Sequence, residues 1–216
     1  MTTHHQHRHI PAMGHAALTP LYDPFVRVVA RERTFKGRLI ARLGLRPGDR
    51  VLDVGCGTGT LAVMIKRRYP DVEVTGIDSD GDVLERARRK ASEAGAQATF
   101  QKAMATELPF ADTFFERVTS TLMAHHLASV DKARMFGEMR RVLTVNGELH
   151  LVDLGPARSE VGRTLQRITS RTMLGDNLAG RLPSMMQSVG FAEVVEEDRV
   201  LTALGPLVFW RGKRND

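Results

Sequence analysis

Short apolar runs alternate with stretches of helical hydrophobic spacing along most of this chain. Residues 50–54 read as a first strand, and 59–68 as a helix that turns Leu61, Met64 and Ile65 inward. A second strand follows at 72–77. The helix at 82–94 carries Arg86, Arg88, Arg89 and Lys90 on a basic outer face. A short third strand at 98–102, a fourth at 115–122, a helix at 130–142 and a fifth strand at 148–153 continue the alternation. Residues 182–189 are helical in pattern, with Pro183 near the start. The chain then closes with strands at 192–200 and 207–211, joined by a turn at Leu204-Gly205-Pro206. This succession predicts an α/β three-layer sandwich, with helices on both faces of a seven-stranded, mostly parallel sheet. The closing strand pair supplies one antiparallel strand, at the edge.

The segment before the first strand is helical in two pieces. Asp23 caps a helix whose first position is Pro24, with Phe25, Val28 and Val29 on one face and Arg27, Arg31 and Arg33 away from it. Phe35, Leu39, Ile40 and Leu43 mark the second piece, Gly44 ends it, and Arg46-Pro47-Gly48-Asp49 is a turn. The expected organisation is a disordered tail at 1–17 with His4, His5, His7, His9 and His15, a helical lid at 18–46, and one catalytic domain at 47–216. A segment at 156–181 within that domain is placed to cover a substrate.

Composition narrows the picture. A length of 216 residues suits one α/β domain, and a hydrophobic fraction of 42% can fill its core. One cysteine, Cys56, excludes an intrachain disulfide and a thiolate metal cluster, and makes a reducing cytoplasm the default compartment. Cys56 reads as a small residue tolerated inside a glycine turn. The histidines and acids show no metal-ligand spacing. A net charge of +6 allows weak contact with anionic surfaces. For nucleic acid the case is net charge alone, without aromatic interleaving. No apolar stretch approaches the ~20 residues that span a bilayer, and the N-terminus is polar.

The chemistry starts at Val51-Leu52-Asp53-Val54-Gly55-Cys56-Gly57-Thr58-Gly59-Thr60, a strand running into a glycine-rich turn and a helix, as in nucleotide-cofactor loops of Rossmann-like folds. Gly55 permits the turn, Gly57 permits close approach of a ligand, and Gly59 lets the helix start near the sheet. Asp78 ends the second strand, where an acid accepts from both ribose hydroxyls; the competing reading is a helix cap, which Ser79 or Asp80 can supply instead. Ligands of open α/β sheets bind at the strand ends. That places Met104 and Ala105 after the third strand and Thr121 after the fourth beside the crevice. His125 and His126 follow, and His150 and Asp153 lie on the fifth strand.

These features resemble motif I and its surroundings in the class I S-adenosylmethionine-dependent methyltransferases. The resemblance runs from Leu18 to Lys213. Within that group the chain looks most like the ubiquinone and menaquinone methyltransferase type and the bacterial phospholipid N-methyltransferases. It does so through Tyr22-Asp23-Pro24-Phe25, Leu108-Pro109-Phe110, Phe114-Phe115-Glu116-Arg117-Val118, His125-His126-Leu127 and Glu138-Met139-Arg140-Arg141-Val142-Leu143. The resemblance implies S-adenosyl-L-methionine as cofactor. Gly55, Gly57 and Gly59 would hold its methionine part with Asp53 and Thr58, Asp78 and Ser79 its ribose, and Met104 and Ala105 its adenine, with Thr121 near the sulfonium. Relatives often carry an acid at 103–105, which this chain lacks, so backbone groups must serve the adenine amine. The Pro-Gly-Gly of relatives is replaced by Val145-Asn146-Gly147.

Methyl transfer needs an aligned acceptor and, for a hydroxyl or carbon acceptor, a base. His126 is the expected base, with Tyr22 orienting; His125, His150, Asp153 and Arg171 are expected to contact the acceptor. Two acceptors stay open: a small or amphiphilic metabolite, and an ethanolamine lipid met at the inner membrane face by the basic N-terminal helix. A non-catalytic cofactor-binding protein is the third reading.

Overall fold

The computed structural model describes residues 32–157, 175–202 and 205–216. The histidine-containing tail, the lid as far as residue 31 with Tyr22, and residues 158–174 with Arg171 lie outside the described residues.

The first described element is α1 (Glu32–Arg42). It buries Phe35, Leu39 and Ile40 and ends before Gly44, whose φ of 57° is the left-handed conformation that closes a helix. The alternating core then follows: β1 (Arg50–Val54), α2 (Thr60–Arg68), β2 (Glu73–Asp78), α3 (Gly81–Glu93), β3 (Thr99–Lys102) and β4 (Phe115–Thr121). A 3-10 turn at Ala124–His126 leads into α4 (Ser129–Val142) and β5 (Leu143–Leu154). After residue 174 come a single turn, α5 (Gly175–Leu178), then α6 (Leu182–Ser188), β6 (Ala192–Thr202) and β7 (Gly205–Lys213).

The strands form one seven-stranded sheet in the order β3-β2-β1-β4-β5-β7-β6. Neighbours from β3 to β5 are parallel, while β7 runs antiparallel to both β5 and β6. The single antiparallel strand is therefore β7, one place inside the edge that the sequence suggested. Because β6 reaches the edge first and β7 returns by a hairpin, the last strand fills the gap beside β5. The turn expected at Gly205-Pro206 is the start of β7, where Pro206 pairs with Leu201.

Side-chain alternation splits the core between the two faces of the sheet. Val51, Val74 and Val152 pack with Phe35, Leu39, Leu61, Ile65, Leu84 and Ala87 of α1, α2 and α3. Leu52, Val118, Leu149 and Leu151 pack with Met135, Phe136 and Met139 of α4 and with Leu182 and Met186 of α6. Strands buried on both faces read as mainly apolar runs, as Val51 to Val54 of β1 do apart from Asp53. Among the described residues no helix is long and apolar enough to cross a membrane.

Candidate active site

The C-terminal ends of β1, β2, β4 and β5 carry most of the expected site residues. Gly55, Gly57 and Gly59 all have positive φ, at 72°, 55° and 72°. Their surroundings differ. A Cβ on Gly55 would lie 2.5 Å from Met123 Cγ, and one on Gly59 would lie 2.8 Å from Phe100 Cζ and 3.0 Å from Ala87 Cβ. A Cβ on Gly57 would meet nothing within 4 Å, so this glycine faces open space. Gly55 and Gly59 let the turn pack, and Gly57 leaves room for a ligand.

The loop is tied to β2. The amides of Gly55 and Cys56 donate to the Ile77 carbonyl at 2.9 Å each, and the Gly57 amide donates to Asp78 Oδ2 at 3.0 Å. Asp78 Oδ1 accepts from the Asp80 amide at 3.1 Å. The Ser79 amide also donates to this carboxylate, so about one of its roughly four lone-pair sites is left for a hydroxyl donor. Burial raises the Asp78 pKa, and the amides of Asp80 and Gly57 pull it back. The cap of α3 is Asp80, which accepts from the amides of Asp82 and Val83, so Asp78 is released from that role. Ser79 sits in the bend between them. The Ala103 amide donates to the Asp78 carbonyl, which brings the Met104-Ala105 turn next to Asp78. Met104 is 45% exposed there, an uncovered apolar side chain where a flat ring is expected.

Asp53 is fully buried at the end of β1. Thr119 Oγ1 donates to its Oδ1 at 3.0 Å, while Oδ2 has no hydrogen-bond partner. Burial pushes its pKa up to about 6, against the pull of Lys36 and of Thr119. An orphaned carboxylate oxygen beside the glycine turn fits the ammonium of an amino-acid cofactor. Cys56 is buried, its thiol pKa raised by burial and by the nearby acids, and it is inert as a nucleophile.

Across the sheet, Thr121 ends β4 and is buried; Leu122 follows in a left-handed conformation, φ 54°. That kink directs Met123 against Gly55 and opens the turn carrying both histidines. Here the structure divides their roles. Asp153, wholly buried at the end of β5, lies 2.7 Å from His125 Nδ1 and also accepts from the His125 amide at 3.2 Å. A carboxylate only accepts, so Nδ1 carries the proton and Nε2 of His125 is left as the basic nitrogen. His126, the base expected from sequence, has no carboxylate partner; its Nε2 is buried and unbonded. Burial, then the charge of His125, pushes its pKa down to about 4.

His150 is brought elsewhere. It lies on the face of β5 opposite Asp153 and is 1% exposed, with Glu148 at 3.4 Å and Glu197 at 3.6 Å. Arg211, its partner across β7, donates to both glutamates at 3.0 Å.

Two supporting groups escaped the sequence reading. Lys90, expected on the outer face of α3, donates to Thr58 Oγ1 at 2.5 Å and Thr60 Oγ1 at 3.0 Å. Arg141 donates to Leu108 and Phe110 carbonyls and pairs with Glu138, which accepts from the Leu108 amide. The first pins the glycine turn and the second pins the loop after β3. For Lys90 the signal was the threonine pair in the turn, and for Arg141 the acid three residues before it, and spacing alone connects neither to its loop.

A protein family described as a methyltransferase domain matches residues 51–147. The chain is 35% identical over 141 residues to a demethylmenaquinone methyltransferase from Thermus thermophilus, covering 64% of this chain and 63% of that protein. It is 31% identical over 156 residues to a 2-phytyl-1,4-naphtoquinone methyltransferase from Trichormus variabilis, covering 69% of this chain and 67% of that one. The chain thus spans less than two thirds of the length of the Thermus relative. Among solved structures, magnesium protoporphyrin IX methyltransferase from Synechocystis PCC 6803 shares the fold, with a TM-score of 0.71 at 18% identity over 86% of this chain and 84% of that one.

Proposed function

We propose that this chain, which belongs to the class I S-adenosylmethionine-dependent methyltransferase family and is related to its quinone-methylating members, methylates a small or amphiphilic metabolite. The observation that carries the reading is the His125–Asp153 pair, set at the strand ends beside the glycine turn. S-adenosylmethionine, when bound, supplies a methyl carbon activated by the sulfonium. Asp53 and the turn amides would hold its amino-acid end, Asp78 its ribose, and Met104 with the Ala105 backbone its adenine.

His125 Nε2 takes the proton of the acceptor while Asp153 steadies the imidazolium that forms. His126, neutral at pH 7, forms part of the acceptor wall. A held base serves a hydroxyl or an acidic carbon, which must lose a proton as it is methylated. A free amine already has its lone pair. This favours an oxygen or carbon acceptor over the ethanolamine-lipid reading. A cytoplasmic location is part of the same proposal, as is action without nucleic acid.

The test is transfer of labelled methyl groups from S-adenosylmethionine to a cell extract split into lipid and aqueous fractions, alongside binding of S-adenosylhomocysteine. His125→Asn should keep cofactor affinity and lower turnover on the order of 10²-fold. Undiminished turnover in that variant removes the base assignment, and absence of S-adenosylhomocysteine binding removes the reading altogether. Label confined to an ethanolamine lipid transfers the conclusion to the lipid acceptor.

A further inference from the structure

We infer that Asn177 is the residue that recognises the acceptor's oxygen; the inference rests on the methyltransferase reading and adds to it a specificity residue. Asn177 is 1% exposed, and among the described residues neither its Oδ1 nor its Nδ2 has a hydrogen-bond partner. Native interiors rarely leave both ends of a buried amide unpaired.

The turn that carries it is fixed on two sides. Asp176, the preceding residue, accepts from Ser129 Oγ at 2.6 Å and Lys132 Nζ at 3.3 Å and pairs with Arg181 Nε at 3.3 Å. Ser129 opens α4, three residues after His126. On the other side the Gly180 amide donates to the Asn177 carbonyl at 3.1 Å, and a Cβ on Gly180 would lie 3.6 Å from Pro156, three residues after Asp153. So α5 bridges the two chain segments that bear the histidines and Asp153. His126 Nε2, three residues before Ser129, is also buried and unbonded.

Fixing an unpaired amide this firmly gains nothing for the fold and suits a ligand that supplies both complements. A hydroxyl does so: its oxygen accepts from Nδ2 and its hydrogen is donated to Oδ1 in the resting complex. An ammonium only donates, and would leave Nδ2 unmatched. Asn177 therefore selects a hydroxylated acceptor, whose reacting proton passes to His125.

The test pairs Asn177→Leu, which keeps the size and removes both polar ends, with Asn177→Asp, which replaces the donor with a second, charged acceptor. Melting temperature without ligand, S-adenosylhomocysteine affinity, and kcat and KM toward 1,4-dihydroxynaphthalene are measured, with phosphoethanolamine as the amine probe. Asn177→Leu should melt no lower than the parent, bind S-adenosylhomocysteine unchanged, and lose at least tenfold in kcat/KM toward 1,4-dihydroxynaphthalene through KM. Asn177→Asp should show a smaller loss of the same kind. A melting temperature lower by several degrees in Asn177→Leu makes Asn177 a structural residue and overturns the inference. So does unchanged kcat/KM, or a parent protein that binds S-adenosylhomocysteine but methylates only the amine. A parent that binds no S-adenosylhomocysteine fails earlier, at the proposed function.

Discussion

On the proposed reading, Asp53 makes the cofactor end of the crevice sensitive to pH. Its carboxyl titrates near pH 6 because burial disfavours the charged form more than Lys36 and Thr119 favour it. Only the ionised form attracts an ammonium. Between pH 7 and pH 5 the ionised fraction falls about tenfold, and S-adenosylhomocysteine affinity should fall with it. Asp53→Asn should bind more weakly at pH 7 and show a flat profile over that interval. Calorimetric titration at both pH values checks this, and an equally steep profile in Asp53→Asn assigns the titration to another group. The histidine pair makes a different point at the same scale. Adjacent residues in a 3-10 turn project about 120° apart. Which of His125 and His126 meets Asp153 is then decided by the register of a single turn. The sequence shows the pair and the acid, and cannot show that register.

The glycine turn and its supports form one element-scale device, and its three glycines should fail in different ways. Gly59→Ala drives a Cβ into Phe100 and Ala87 at positive φ, and should cost about 2 kcal/mol of stability. Gly57→Ala is strained in φ but meets open space, and should cost about 1 kcal/mol while abolishing most cofactor affinity. Denaturant unfolding and S-adenosylhomocysteine titration on both variants separate the two effects. Lys90→Met removes both bonds to Thr58 and Thr60, and should weaken S-adenosylhomocysteine binding severalfold with little change in melting temperature. An unchanged affinity would leave Lys90 as a surface residue. The alternation of elements was legible because each strand and helix carries its own period; β1 matches its expected bounds, and β2, α2, α3 and α4 begin or end within a residue of theirs. β5 was half read. Val145-Asn146-Gly147 looks like a turn, and Asn146 does adopt positive φ, yet bonds to Arg214 carry the strand through it. Local turn chemistry was correct there, and a distant strand end overrode it. Lys90 and Arg141 were not legible, since each acts through a partner about thirty residues away in the chain, and the burial of Asn177 without a partner is a tertiary fact that no spacing encodes.

Over the whole molecule, these sites set a response to acid whose parts oppose one another. His126 has a folded pKa of about 4, below its ordinary value of 6.5. The unfolded chain takes up that proton first, so stability is lost as pH falls from 6.5 towards 4. Asp53 has the opposite sign. Its folded pKa of about 6 exceeds the ordinary 3.8, so stability is gained over nearly the same interval as its carboxyl becomes neutral. The two contributions offset. Below that lies Glu148, held down to about 2 by His150 first and then by the Arg117 and Arg211 charges, against its own burial. Its stabilisation is complete above pH 4.5 and disappears as pH falls towards 2, together with that of Glu116, Glu138, Glu197 and Asp176, whose pKa values are also lowered. Melting temperature should therefore be nearly level from pH 6.5 to 4.5 and then drop steeply. Removing one side of the offset should tilt the plateau in a known direction. Asp53→Asn should melt progressively lower as pH falls from 6 to 4.5, because His126 is then opposed only by Asp78, whose pKa burial also raises. His126→Phe should melt progressively higher over that range, because Asp53, with Asp78 in the same direction, is then unopposed. Scanning calorimetry across the interval on the three proteins decides it, and parallel curves would mean that neither group titrates where its burial places it.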